Sequence, residues 1–134
     1  MYNTPMQTGR DVRIAKDLVA ASAIPLVLAI LDEGESYGYA ILKRIDELSG
    51  GAMEWTDGML YPLLHRLERL GHVEARWVSP PEGRRRRYYR ITPGGRAALS
   101  EQRRQWEVVS SALWNAWHSV HAASPTSLPR AVEG

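Results

Sequence analysis

Cysteine is missing from all 134 residues, which excludes a disulfide framework and a thiolate-based zinc site. Long apolar runs are missing as well. The longest, Ile24 to Leu31, falls well short of the ~20 residues needed to cross a bilayer. The N-terminus has no signal-peptide layout, so a cytoplasmic, nucleoid-associated location without membrane contact is the expectation. Also absent are a Gly-rich phosphate loop, a His-Glu-x-x-His helix, a Gly-x-Ser-x-Gly elbow and a cysteine nucleophile. The chain therefore reads as a non-enzyme that needs no cofactor. His118 and His121 are three apart on one helix, but no third ligand accompanies them, so no metal site is expected.

Lysine is scarce, since fifteen of the seventeen cations are arginine, and the net charge is only +2. Their placement carries the information. Between Thr56 and Arg96 stand nine basic residues against four acidic ones, whereas the rest of the chain is net acidic. One part is built to meet a polyanion. Its centre is Arg84-Arg85-Arg86-Arg87-Tyr88-Tyr89-Arg90, where planar guanidinium forks suited to phosphate stand beside flat aromatic faces.

Periodicity divides the chain. Residues 1–10 read as a polar arm. Asp11 to Leu31 has helical spacing through Ile14, Leu18, Val19, Ile24, Val27, Leu28 and Leu31, with Pro25 either kinking it or marking a second start near Ser22. A second helix is expected from an N-cap at Ser36 through Ile41, Leu42, Ile45 and Leu48 to Gly50-Gly51. A third begins at Thr56 and carries a stripe of Leu60, Leu63, Leu64, Leu67 and Leu70, closed by Gly71. The period then changes to two. Val73, Ala75 and Trp77 form the buried side of a strand, Ser79 to Gly83 a turn, and Arg86 to Ile91 the partner strand. Thr92-Pro93 opens a last helix reaching about Ala123, and 124–134 reads as a tail.

The resulting fold class is mainly α with a small two-stranded β-hairpin. It is a winged helix-turn-helix domain over residues 11–92, including the N-terminal helix, with a long dimerisation helix over 93–123. The face of the third helix opposite its leucines presents Gly58, Tyr61, Pro62, His65 and Arg69, a mixture suited to base edges in a major groove. Arg84 to Arg87 sit in or beside the wing turn, within reach of a minor groove or its phosphates. Tyr88 and Tyr89 point to opposite faces, one towards the third helix.

Several ordered motifs carry a family resemblance. They are Tyr37-Gly38-Tyr39, Ser49-Gly50-Gly51, Gly58-Met59-Leu60-Tyr61-Pro62-Leu63-Leu64-His65-Arg66-Leu67-Glu68, Gly71, and Arg84 through Thr92. Together, over about residues 24–110, they resemble PadR-type transcriptional regulators. The resemblance implies a dimeric winged-helix repressor that binds double-stranded operator DNA and is often released by a small molecule. It implies that the helix from Gly58 to Leu70 reads the major groove, with Thr56 and Arg66 among the contacts beside those named above. It also implies that Tyr37 and Tyr39 lie near the DNA backbone. Met59 stands where a small hydroxyl residue is common.

On the last helix, Leu99, Trp106, Val109, Leu113, Trp117 and Val120 recur at heptad-like steps. At about 40 Å the helix exceeds the width of a small domain, so a second copy of the chain is the expected cover, with Leu18 beside it. A two-fold dimer would set two third helices about 34 Å apart on an inverted repeat. Trp106, Val109, Ser110, Leu113, Trp114 and Trp117 outline a pocket for a small planar aromatic effector, although the same tryptophans would serve simply to fill the interface. The competing expectation is an architectural or protein-interaction module that uses the winged fold without choosing a sequence and without an effector.

Overall fold

Helix α1 spans Lys16–Glu33, later than the Asp11 start that the spacing suggests, and runs through Pro25 as one element. Its side chains Val27, Leu28, Ile30 and Leu31 enter the core. The computed structural model describes residues 12–122, with side chains to residue 119. The arm over 1–10 and the tail over 124–134 lie outside these residues. After α1 come β1 (Ser36–Tyr37), α2 (Gly38–Ser49), α3 (Asp57–Arg69), β2 (Val73–Val78), β3 (Arg86–Ile91) and α4 (Pro93–Ala122).

Ser36 does not cap α2. It pairs with Tyr89 while Tyr37 pairs with Tyr88, so the expected hairpin gains a third antiparallel strand in the order β1-β3-β2. The physical reason is long-range pairing: β3 offers an open edge, and two extended residues before α2 take it. Between β2 and β3 the register runs from Val73 opposite Ile91 to Val78 opposite Arg86. The turn therefore falls where the sequence puts it.

The core is assembled from one face of each element. Ile41 and Ile45 of α2 meet Leu60, Leu64 and Leu67 of α3 and Val73, Tyr89 and Ile91 of the sheet. Leu60, Leu64 and Leu67 are wholly buried, each contributing about 1.5–3 kcal/mol relative to exposure. Four members of the expected apolar pattern fall outside: Leu18, Leu48, Leu70 and Trp77. Leu70 is 54% exposed because α3 ends there and the chain turns away. Trp77 is 53% exposed. It lies on the same sheet face as Val73 and Tyr89, but the strand has run past the edge of the core by that point. In the other direction, Leu99, expected in the dimer seam, is buried in this core cluster.

The start of α4 is braced by Thr92. Its hydroxyl donates to the Gly71 carbonyl at 2.6 Å and accepts from the Gly95 N–H at 3.0 Å, the capping role that the Thr-Pro pair suggests. Thr56 occupies the N-cap position of α3, yet its side chain makes no capping bond. Gly95 is pressed onto the end of α3's connection to β2: a Cβ there would stand 2.7 Å from Ile91 Cγ1 and 3.0 Å from the His72 carbonyl carbon. Backbone cannot yield cheaply, so Gly95→Ala is expected to cost on the order of 1–3 kcal/mol of stability. Urea unfolding checks this, and an unchanged midpoint would mean that the junction is looser than described.

The described residues divide into two compact units, one ending at Ser100 and the other beginning at Glu101. Helix α4 contributes its first turns to one and its remainder to the other. Within the second unit Val108, Val109, Leu113, Trp114 and Trp117 are exposed, and Trp106 is half-buried. The expected seam residue Val120 and the histidine at 121 lie outside the described side chains. Among the described residues no helix is long and apolar enough to cross a membrane.

Candidate nucleic-acid interface

Burying the leucine face of α3 turns its other face to solvent. Gly58, Tyr61, Pro62, His65, Arg66 and Arg69 are all exposed, as is Thr56 just before them. The wing supplies the other wall. A cleft of about 840 Å³ opens between the two, lined by Tyr37, Gly38, Tyr39, Tyr61, His65, Trp77, Arg84, Arg85, Arg86, Arg87 and Tyr89. Two tyrosines flanking the β1–α2 junction, two side chains of α3 and all four wing arginines thus share one concavity. Thr56, Gly58, Pro62, Arg66, Arg69 and Tyr88 do not line it.

Tyr61 ties the helix-turn-helix together. Its ring lies across the first turn of α2, where a Cβ on Gly38 would stand 2.7 Å from Tyr61 Cζ and closer still to its hydroxyl. Glycine at this position permits the approach. Tyr39, by contrast, is 69% exposed and free to meet a partner. Tyr37 packs against Tyr88 with ring centroids 5.1 Å apart, so this pair occupies the outer face of the sheet. Tyr89 is the one that turns inward, and it is wholly buried. Burial pushes its phenol above the usual range, with the Arg87 cation opposing the shift.

Not every cation of the basic segment is available. Arg76 donates two hydrogen bonds to Glu35, at 2.6 and 2.8 Å, and holds that carboxyl below its usual range. The carboxylate is therefore ionised at neutral pH, and the pairing weakens as acid protonates Glu35. Arg90 pairs with Glu74 at 2.7 Å and Arg96 with Asp32 at 3.5 Å. Arg87 reaches back to Glu68 of α3 at 3.0 Å, with both side chains about two-thirds covered. It acts as a brace between wing and helix more than as a free cation. Among the described residues Arg66, Arg69, Arg84, Arg85 and Arg86 form no ion pair. Within the basic segment from Thr56 to Arg96, the unpaired arginines thus lie on α3 and at the wing tip, the two places that would face a polyanion.

Sequence reasoning missed Trp77, Glu68 and Gly38 as parts of this site. Trp77 could have been placed from the strand register, which sets it opposite Arg87. Glu68 is nineteen residues from Arg87 and leaves no local signal.

The residues expected around an effector are less gathered. Trp114 meets Trp117 edge-on at 5.3 Å and stacks on His118 at 5.1 Å. Only Trp106 and Ser110 line a depression, open and about 390 Å³, together with Arg103, Glu107 and Ser111.

Comparison with known proteins agrees with the geometry. The model of the transcriptional regulator PadR-like family matches residues 27–101. A transcriptional regulator from Clostridium thermocellum is 30% identical, with a TM-score of 0.68 over 75% of this chain and 97% of that one. A PadR-family regulator from Eggerthella lenta is 31% identical, with a TM-score of 0.66 over 75% and 86% of the two chains. A transcriptional regulator of Mycobacterium tuberculosis shares 52% identity over 63 residues, 46% of this chain and 56% of that protein. Family model and fold agree, and the chain belongs to the PadR-like family of DNA-binding transcriptional regulators.

Proposed function

We propose that this regulator is a homodimeric repressor that grips an inverted-repeat operator. In this reading α3 enters the major groove and the wing arginines lie on the flanking phosphates. The observation that carries it is the coincidence of unpaired charge and exposed helix face: Arg84, Arg85 and Arg86 line the same cleft as Tyr61 and His65, while the neighbouring cations are neutralised by carboxylates. Pairing is supported by the exposed apolar side chains of α4, Val109, Leu113 and Trp117, which a second copy would cover. Residues 11–92 then act as the DNA-binding domain and 93–123 as the dimerisation helix. Trp106, Trp114 and Trp117 would give a small planar aromatic effector a surface on which to stack. Its binding would change the angle between subunits, so that both helices no longer fit one DNA face.

Mapping the genomic fragments that the protein retains, and titrating it against the recovered inverted repeat and a scrambled duplex, tests the reading. His65→Ala with Arg69→Ala is expected to alter which base pairs are preferred, at about 1–3 kcal/mol per lost base contact. Equal, salt-dependent affinity for repeat and scramble would instead identify a duplex-binding module without sequence choice.

A further inference from the structure

Trp77 is a large apolar side chain that the core does not use, at 53% exposure. It is not idle. The guanidinium carbon of Arg85 lies 4.5 Å from the centre of its ring, and that of Arg87 lies 5.6 Å away. Arg87 is itself held by Glu68 at 3.0 Å and sits directly across the strand pair from Trp77. The indole therefore lies beside the wing turn and offers a platform to Arg85, which lies just before the start of β3 and makes no ion pair among the described residues. A second platform of the same kind is present on the outer face, where Arg86 lies 4.4 Å from the Tyr37 ring centre.

A guanidinium stacked by its face on an aromatic ring keeps its N–H donors in the plane, pointing away from the ring and free for an acceptor. Stacking also removes rotamer freedom that a long side chain would otherwise lose only on binding. We propose that Trp77 is a positioning residue for DNA binding. It holds Arg85 in the free protein in the orientation in which Arg85 meets a phosphate oxygen, and the stack persists in the complex. The inference rests on the reading that the wing lies against duplex DNA.

Operator affinity is measured for the parent, Trp77→Phe, Trp77→Leu, Arg85→Ala and the Trp77→Leu/Arg85→Ala double variant, each checked for folding by its thermal melt. Trp77→Leu is expected to weaken binding roughly two- to fivefold, the range of an exposed cation–π contact, and Trp77→Phe less. In the Arg85→Ala background Trp77→Leu should add nothing further. The salt slope separates positioning from phosphate contact: Trp77→Leu keeps the parent slope, whereas Arg85→Ala lowers it by about 0.9. An equal loss in the Arg85→Ala background, or unchanged or tighter binding by Trp77→Leu, overturns the proposal. A parent that ignores duplex DNA overturns instead the functional reading beneath it. Should the leucine variant fail to fold, the parent alone decides by NMR. The side-chain protons of Arg85 are expected to carry the indole's ring-current shift both free and on DNA, and its disappearance in the complex refutes persistence of the stack.

Discussion

Replacing Arg85 and Arg86 together by alanine is expected to weaken binding to every duplex, operator or not, by roughly a hundredfold at low salt. Each of these side chains is a wing cation with an aromatic platform and no carboxylate partner among the described residues. Each can supply a charge-assisted hydrogen bond to phosphate, worth about 1.5 kcal/mol or more, and 1.4 kcal/mol corresponds to a factor of ten. The loss should be uniform across sequences because phosphates carry no sequence information. The salt dependence should flatten by about two counterions' worth, near 0.9 for each phosphate released. Fluorescence anisotropy at several salt concentrations reads both effects. A double variant that binds like the parent at ~0.2 M salt would remove the wing from the interface. Arg76 and Arg90 sit in the same hairpin, but their charge is answered by Glu35 and Glu74.

The second large effect concerns α4. Leu113→Glu with Trp117→Glu is expected to leave the fold of a single chain intact, since both side chains are exposed there, and to abolish pairing by placing carboxylates on the proposed seam. A monomer can hold only one half-site. It loses the intramolecular second contact, which multiplies affinity by roughly a hundredfold or more when the spacing fits. Sedimentation velocity at micromolar concentration, alongside operator titration, reads the result. A variant that remains dimeric would show that α4 is not the interface. A monomeric variant with parental operator affinity would show that pairing is not needed to bind.

Much of this architecture is legible in the chain before it folds, and what is not has identifiable causes. The leucines of α3 announce a buried stripe because their period is local, and Leu60, Leu64 and Leu67 are indeed in the core. The cap at Thr92 is equally local, a hydroxyl just before a proline. Three features depend instead on residues far apart in sequence. Strand β1 is two residues long, too short for any period to reveal, and exists only because β3 pairs with it. The alternation of Val73, Ala75 and Trp77 fixes which face each side chain takes. It cannot say where along the strand the core ends, and Trp77 lies past that point. Leu99 keeps step with Trp106, yet a heptad step does not tell whether the partner is another subunit or the chain's own core, and for Leu99 it is the latter. The same limit applies to charge. A count of arginines gives the sign of the surface, but pairing of Arg87 with Glu68 decides which of them remain available.

The stoichiometry of the parent protein on its own upstream DNA is the most direct test of the account. Sedimentation equilibrium of a labelled duplex bearing one inverted repeat, titrated with protein, should saturate at two protomers for each duplex and show no comparable complex with a scrambled duplex. Saturation by a single protomer, or equal occupancy of both duplexes, would contradict it.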